Sequence, residues 1–159
     1  SDVCSSDLYK FKSLNAKSGD SKRSVSLLGS GAIMTEVLKA AEKLSSAGIH
    51  VDIFSVTSWS ELSRDGKAKE QARLNGEAGI ELPFITKVLM QGRGPIVAAT
   101  DYVHVLPESI RAYVPEGRQY ITLGTDGFGR SDTRAALREY FGVNADSIAK
   151  AALEALKMQ

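Results

Sequence analysis

The sequence has few of the residues that build disulfides, metal sites or membrane spans. Its 159 residues include one cysteine, Cys4, so no disulfide can form within the chain. With only two histidines beside that cysteine, a zinc site is not expected. No apolar run approaches the ~18 residues of a membrane span, and no signal peptide is recognisable. These shortages favour a cytoplasmic protein without structural metal.

The chain also lacks a surplus of charge of either sign. Twenty Lys and Arg residues against nineteen Asp and Glu residues leave a net charge of +1. A polyanionic partner would select a basic surplus or stripe, and neither is visible, so nucleic-acid binding is not expected. Hydrophobic residues at 43% and charged residues at 25% are typical of a globular protein. The length suits one domain.

The amino-terminal eight residues fit none of the patterns that follow. Residues 1–8 resemble an expression scar or a translated sequencing adapter, so the domain is expected to occupy residues 9–159. Residues 9–12 alternate apolar and charged side chains, which predicts a strand at the edge of a sheet. Four later runs are short, rich in β-branched residues and almost continuously apolar, as in strands covered on both faces of a parallel sheet. They are residues 25–28, 51–56, 95–99 and 120–123.

Apolar residues at helical spacing separate these runs. One such stripe extends from Ile33 to Leu44 and ends at Gly48. A second stripe joins Val103, Leu106 and Ile110, with Pro107 in the first turn and Pro115 at the end. A third extends from Ile148 to Leu156, with Asn144 or Asp146 as its cap. The alternation predicts a doubly wound α/β domain with three layers, α/β/α.

Residues 58–81 follow neither pattern. They carry many charged side chains, little that could be buried, and glycines at positions 66, 76 and 79. A connection of this length within a compact domain is usually functional, interfacial or mobile.

A glycine-rich turn follows the second predicted strand. Gly29-Ser30-Gly31 has the setting of a phosphate-binding turn, because backbone N–H groups at a helix start favour anions. Met34 stands where a dinucleotide fingerprint requires its third glycine, and Asp52 lies near the start of its strand instead of the end. A tight strand-to-helix turn is therefore favoured over nucleotide binding.

Hydroxyl groups and histidines give weaker indications. Ser55, Thr57 and Ser58 lie at the carboxyl end of a predicted strand, where α/β domains bind ligands, but turn and helix-cap hydrogen bonds are the favoured interpretation. His50 and His104 could each act as a general base, yet neither belongs to a nucleophile motif, and a structural or solvated role is favoured.

The loop at residues 124–132 is the most informative stretch. It reads Gly-Thr-Asp-Gly-Phe-Gly-Arg-Ser-Asp, follows the last predicted strand and precedes a helix. Phe128 is an aromatic side chain held between two glycines, so it is either an anchor against another domain or a local hydrophobic plug. No triad, carboxylate pair or metal cluster emerges anywhere in the sequence, and no complete catalytic site is expected in this chain.

Several strings in succession carry a family resemblance. They are Leu-Leu-Gly-Ser-Gly at 27–31, Ser-Val-Thr-Ser-Trp at 55–59, Glu-Leu-Ser-Arg-Asp-Gly at 61–66, Ala-Thr-Asp-Tyr at 99–102, Tyr-Val-Pro at 113–115 and the stretch 123–132. This order resembles the carboxyl-terminal domain of homodimeric bacterial pyruvate dehydrogenase decarboxylating components. The resemblance implies a mixed five-stranded sheet, mostly parallel with an antiparallel edge strand, as in transketolase carboxyl-terminal domains.

The resemblance also implies a function and its partners. The full enzyme would decarboxylate pyruvate on thiamine diphosphate with magnesium and acetylate the lipoyl group of a dihydrolipoyl acyltransferase component. Its cofactor-binding and catalytic groups belong to other domains, so this part would bind no cofactor and would support packing against those domains and the second subunit. The candidate interface residues are Ser55, Thr57, Ser58, Asp101, Asp126, Gly127, Phe128, Gly129, Arg130, Ser131 and Asp132.

One stretch departs from the family pattern. Between Lys69 and Leu82, where related proteins usually carry a tryptophan or a Leu-His-Pro sequence, this chain has Gln-Ala-Arg-Leu-Asn-Gly-Glu-Ala at 71–78. Two other functions stay open: a free-standing protein-interaction module that uses the Phe128 loop, and the corresponding domain of another thiamine-dependent enzyme such as transketolase.

Overall fold

A five-stranded mixed sheet forms the centre of the domain. The computed structural model describes residues 6–17, 22–125 and 142–159. The strands are β1 (Leu8–Leu14), β2 (Ser24–Ser30), β3 (His50–Val56), β4 (Ile96–Thr100) and β5 (Tyr120–Leu123). Their order in the sheet is β1-β3-β2-β4-β5, with β1 antiparallel to β3 and the other neighbouring strands parallel. The predicted strands and the antiparallel edge strand are confirmed.

Helices cover both faces of the sheet. They are α1 (Met34–Ser46), which follows a 3-10 turn at Gly31–Ile33, then α2 (Trp59–Leu74), α3 (Phe84–Leu89), α4 (Val105–Glu108) and α5 (Ala145–Lys157). One apolar core lies between the sheet and the pair α1 and α5. A second core lies on the opposite face, beneath α2 and α3. The three-layer α/β/α architecture is confirmed.

The predicted ends of α1 and α5 are also confirmed. Gly48 follows α1 with a φ of 85°, a left-handed conformation that glycine adopts without strain. Asn144 is the N-cap of α5, where its side chain accepts a hydrogen bond of 2.9 Å from the backbone N–H of Ser147.

Strand β1 starts one residue earlier than predicted. The sequence pattern placed Leu8 outside the domain, but its side chain is 1% exposed and packs in the second core opposite Val56. The next five residues of β1 are exposed, and the pairing with β3 shifts by one residue between Lys10 and Lys12. Lysines and a bulge are the usual means of protecting an edge strand from further pairing.

Residues 58–81, which the sequence patterns assigned to neither a strand nor a helix, mostly form α2. Only the first half of this helix is buried, through Trp59 and Leu62, and Gly66 lies against the ring of Tyr113. The helix predicted around residues 103–110 is shorter than expected: α4 ends at Glu108, and a separate 3-10 turn follows at Arg111–Tyr113. In the described parts of the chain, no helix is long and apolar enough to cross a membrane.

Candidate functional site

A cleft of about 480 Å³ opens at the carboxyl edge of the sheet. It lies where β2 continues into α1 on one face of the sheet while its neighbour β3 continues into α2 on the other face. Ligand sites of α/β proteins form at such points, where adjacent connections leave in opposite directions. The lining residues are Ser30, Gly31, Met34, Ser55, Val56, Thr57, Ser58, Trp59, Ser60, Tyr102 and Leu106.

Two buried hydroxyls hold the ends of β2 and β4 together beside the cleft. Ser30 Oγ donates to Thr100 Oγ1 at 3.0 Å, and the backbone N–H of Tyr102 donates to the same Thr100 oxygen at 3.1 Å. Because these buried polar groups are hydrogen-bonded, the Ser30–Thr100 contact stabilises the association of β2 with β4. It fixes the distance between the loops that follow β2 and β4.

The hydroxyls predicted at the end of β3 make different contacts. Ser58 is the N-cap of α2 and accepts a hydrogen bond of 3.2 Å from the backbone N–H of Glu61. Thr57 donates its backbone N–H to the carbonyl of Asp7 at 3.0 Å and its hydroxyl to the carbonyl of Ser6. The favoured helix-cap interpretation is confirmed for Ser58. Thr57 makes neither a turn nor a cap contact and binds the chain before β1 instead. Ser55 lies in β3 and lines the cleft.

Of the remaining candidates, the structure describes Asp101 alone. It follows β4, and its carbonyl accepts a hydrogen bond from the hydroxyl of Thr125. This contact brings the end of β5 next to the end of β4. The candidates Asp126, Gly127, Phe128, Gly129, Arg130, Ser131 and Asp132 lie outside the described residues.

Asp52 and His50 lie at the opposite, amino-terminal edge of the parallel strands. His50 Nε2 is 3.1 Å from Asp52 Oδ1, Ser13 Oγ donates to the same oxygen at 2.6 Å, and Lys10 Nζ is 3.7 Å away. Burial alone would raise the pKa of Asp52, but these hydrogen bonds and the Lys10 charge lower it below its usual value. Asp52 therefore attaches β1 to β3 and lies away from the Gly29-Ser30-Gly31 turn, which argues against a ribose-binding role.

The described residues of the cleft do not fit a diphosphate with its metal ion. None of the described lining residues carries a charge, whereas magnesium takes carboxylate or carbonyl oxygens and a diphosphate is usually held by cations as well as backbone N–H groups. Within residues 6–17, 22–125 and 142–159, no three His, Cys, Asp or Glu side chains form a group that could hold a metal.

Sequence reasoning missed part of this cleft. Met34, Tyr102 and Leu106 line it together with the predicted serines, although none of them was a candidate. Their positions in the sequence could have indicated them. Each follows a predicted buried strand by a few residues, and the carboxyl ends of parallel strands lie at one edge of the sheet. The relative order of β2, β3 and β4, which brings these loops together, has no local signature.

Comparison with known proteins gives a consistent result. The family model described as the transketolase-like TK C-terminal domain matches residues 9–144. The pyruvate dehydrogenase E1 component of Mycobacterium tuberculosis is 46% identical over 134 residues, covering 82% of this chain and 14% of the relative. The proteins of the same name from Haemophilus influenzae and Escherichia coli K12 are 46% and 43% identical, covering 94% and 92% of this chain and 16% of each relative.

Solved structures are similar in fold at much lower identity. Transketolase from Leishmania mexicana matches with a TM-score of 0.58 at 18% identity, covering 96% of this chain and 18% of that one. Transketolase from Campylobacter jejuni matches with a TM-score of 0.57 at 17% identity, covering 93% and 18%. The chain thus spans about one sixth of the length of the proteins it resembles.

Proposed function

This chain belongs to the family of transketolase-like TK C-terminal domains, and from that premise we propose that it is the carboxyl-terminal domain of a pyruvate dehydrogenase decarboxylating component. The observation that carries the proposal is the 42–46% identity to proteins named pyruvate dehydrogenase E1 component, across most of this chain. Transketolases are similar at 17–18% identity, and a likeness at this identity shows a shared fold but not a shared activity.

In this proposal the domain supports an enzyme whose reacting groups lie elsewhere in the full protein. Thiamine diphosphate with magnesium would supply the chemistry that stabilises the carbanion formed when pyruvate loses carbon dioxide. This domain would contribute packing against the other domains and support for the homodimer. The full protein would then transfer the acetyl group to the lipoyl group of a dihydrolipoyl acyltransferase component. The absence of charge among the described residues of the cleft and the well-packed cores support a scaffold role.

A chimera tests this proposal. Residues 8–159, which begin with the first residue of β1, would replace the homologous region of the Escherichia coli pyruvate dehydrogenase E1 component, to which this chain is 43% identical. We expect a dimer that decarboxylates pyruvate within about tenfold of the parent enzyme, because a domain without reacting groups should change the barrier by about 1.4 kcal/mol or less. The rate with thiamine diphosphate and magnesium is the measurement.

The control is the parent enzyme truncated before the replaced region, which should lose dimer stability and activity. A folded chimera as inactive as this truncated control would contradict the proposal. Activity on ketose phosphates in place of pyruvate would favour a transketolase, and a chimera that folds without associating would favour a free-standing interaction module.

A further inference from the structure

The backbone that precedes β1 is held against the rim of the cleft. Because β1 is antiparallel to β3, its first residue Leu8 pairs with Val56 at the carboxyl edge of the sheet. The next residue of that rim, Thr57, donates twice to the incoming chain: its backbone N–H binds the carbonyl of Asp7 at 3.0 Å, and its hydroxyl binds the carbonyl of Ser6. Both acceptors are backbone carbonyls, which every residue type possesses.

The surface around this rim is apolar and has cations along one side. Tyr102 and Val105 are 59% and 66% exposed. A second cleft of about 410 Å³ shares Ser60 and Leu106 with the first and is also lined by Arg64 and Lys67. Among the described residues, no carboxylate lines either cleft. We call the surface formed by Tyr102, Val105, Arg64 and Lys67 the entry face.

We propose that Thr57 anchors whatever polypeptide precedes β1, and that the entry face is covered by the domain to which this polypeptide leads. The inference rests on the proposed function, in which most of the protein precedes this domain. The relatives are about six times longer than this chain, so enough polypeptide exists to cover such a surface. The covering surface should present apolar side chains toward Val105 and a carboxylate toward Lys67, since an exposed apolar patch with a charged rim is typical of a protein interface. Arg64 already pairs with Glu61.

Hydrogen exchange tests the anchor in the 159-residue chain itself. The Thr57 amide should be protected equally in the chain and in the double variant Ser6→Ala with Asp7→Ala, because the acceptors are carbonyls. Starting the chain at Leu8 should speed exchange of this amide on the order of tenfold, through loss of its acceptor, while the Leu28 amide in the sheet stays protected. Unchanged protection after the deletion would overturn the anchor, and so would equal loss in the double variant.

Cysteine labelling tests the covered face. Val105→Cys, in a chain that also carries Cys4→Ser, should react rapidly with a maleimide. In the dimeric chimera the same cysteine should react on the order of tenfold more slowly, because the preceding domain covers it. Met158→Cys is the matched control: Met158 is 76% exposed and follows α5 at the far edge of the sheet.

The two proposals fail differently in this experiment. An active chimera in which Val105→Cys labels as fast as in the isolated chain would overturn the covered face and leave the proposed function standing. An inactive chimera would contradict the proposed function. Hydrogen exchange of the Thr57 amide would still show whether Thr57 binds the polypeptide that precedes β1.

Discussion

Replacing Gly94 by alanine is expected to destabilise the domain by more than about 3 kcal/mol, a large fraction of the stability of an ordinary domain. Gly94 has a φ of 84°, and a Cβ atom there would lie 1.8 Å from the carbonyl oxygen of Ser24. That oxygen belongs to the first residue of β2, which the pairing with β3 and the bond from Ser26 N–H to the Pro95 carbonyl hold in register. Neither backbone can move away without breaking the sheet.

Gly117 provides a matched control. Its φ is 87°, almost the same as that of Gly94, but a Cβ atom there would meet nothing within 4 Å. Gly117→Ala should therefore cost only the left-handed strain of a non-glycine residue, about 1–2 kcal/mol. Urea unfolding followed by circular dichroism measures both. Equal losses for the two variants would show that backbone strain, and not the contact with Ser24, governs this turn.

The second large effect is expected at Arg118. Its guanidinium group joins the loop before β5 to the loop before β4, donating to the carbonyls of Leu89 at 2.6 Å and Gly94 at 2.7 Å. It also donates to Ser26 Oγ at 2.8 Å and to the Arg93 carbonyl at 3.1 Å. Burial lowers the pKa of Arg118 to about 10, against the opposing effect of the Asp52 charge, so the group is still charged at neutral pH.

Arg118→Ala removes every one of these donors at once. We expect a loss of about 2–4 kcal/mol, because partly buried acceptors are left without partners. Arg64→Ala is the control: the Arg64 side chain is exposed and pairs with Glu61 one helical turn away, so its loss should cost less than about 0.5 kcal/mol. Thermal unfolding of both variants checks the difference. Similar small losses would mean that water replaces the hydrogen bonds of Arg118 with little loss of stability.

The sequence patterns predicted the sheet better than the helices, and the reason is physical. Strands such as Ile96–Thr100 are covered on both faces, so their apolar character is continuous and visible. Helix α2 buries little beyond Trp59, Leu62 and Gly66 along its sixteen residues. Gly66 looks like a helix breaker in the sequence, but it gives room for the Tyr113 ring, whose atoms would lie 2.5 Å from a Cβ atom.

The candidate site could be predicted only in part. The position of Ser55, Thr57 and Ser58 at the end of a buried strand indicated the correct edge of the sheet. The contribution of Tyr102 and Leu106 depends on β2 lying between β3 and β4, and this order results from long-range packing. The contact of Thr57 with the chain before β1 likewise depends on the antiparallel direction of β1.

Turnover by the isolated chain tests the central claim, which is that the reacting groups of the proposed full enzyme are encoded outside this domain. The 159-residue chain, freed of other proteins, would be incubated with pyruvate, thiamine diphosphate and magnesium, and the release of carbon dioxide measured. We predict no release above the rate of the mixture without protein, because the described residues that line the cleft include no charged group to hold a diphosphate or its metal. Sustained carbon dioxide release that scales with the amount of this chain would contradict the account.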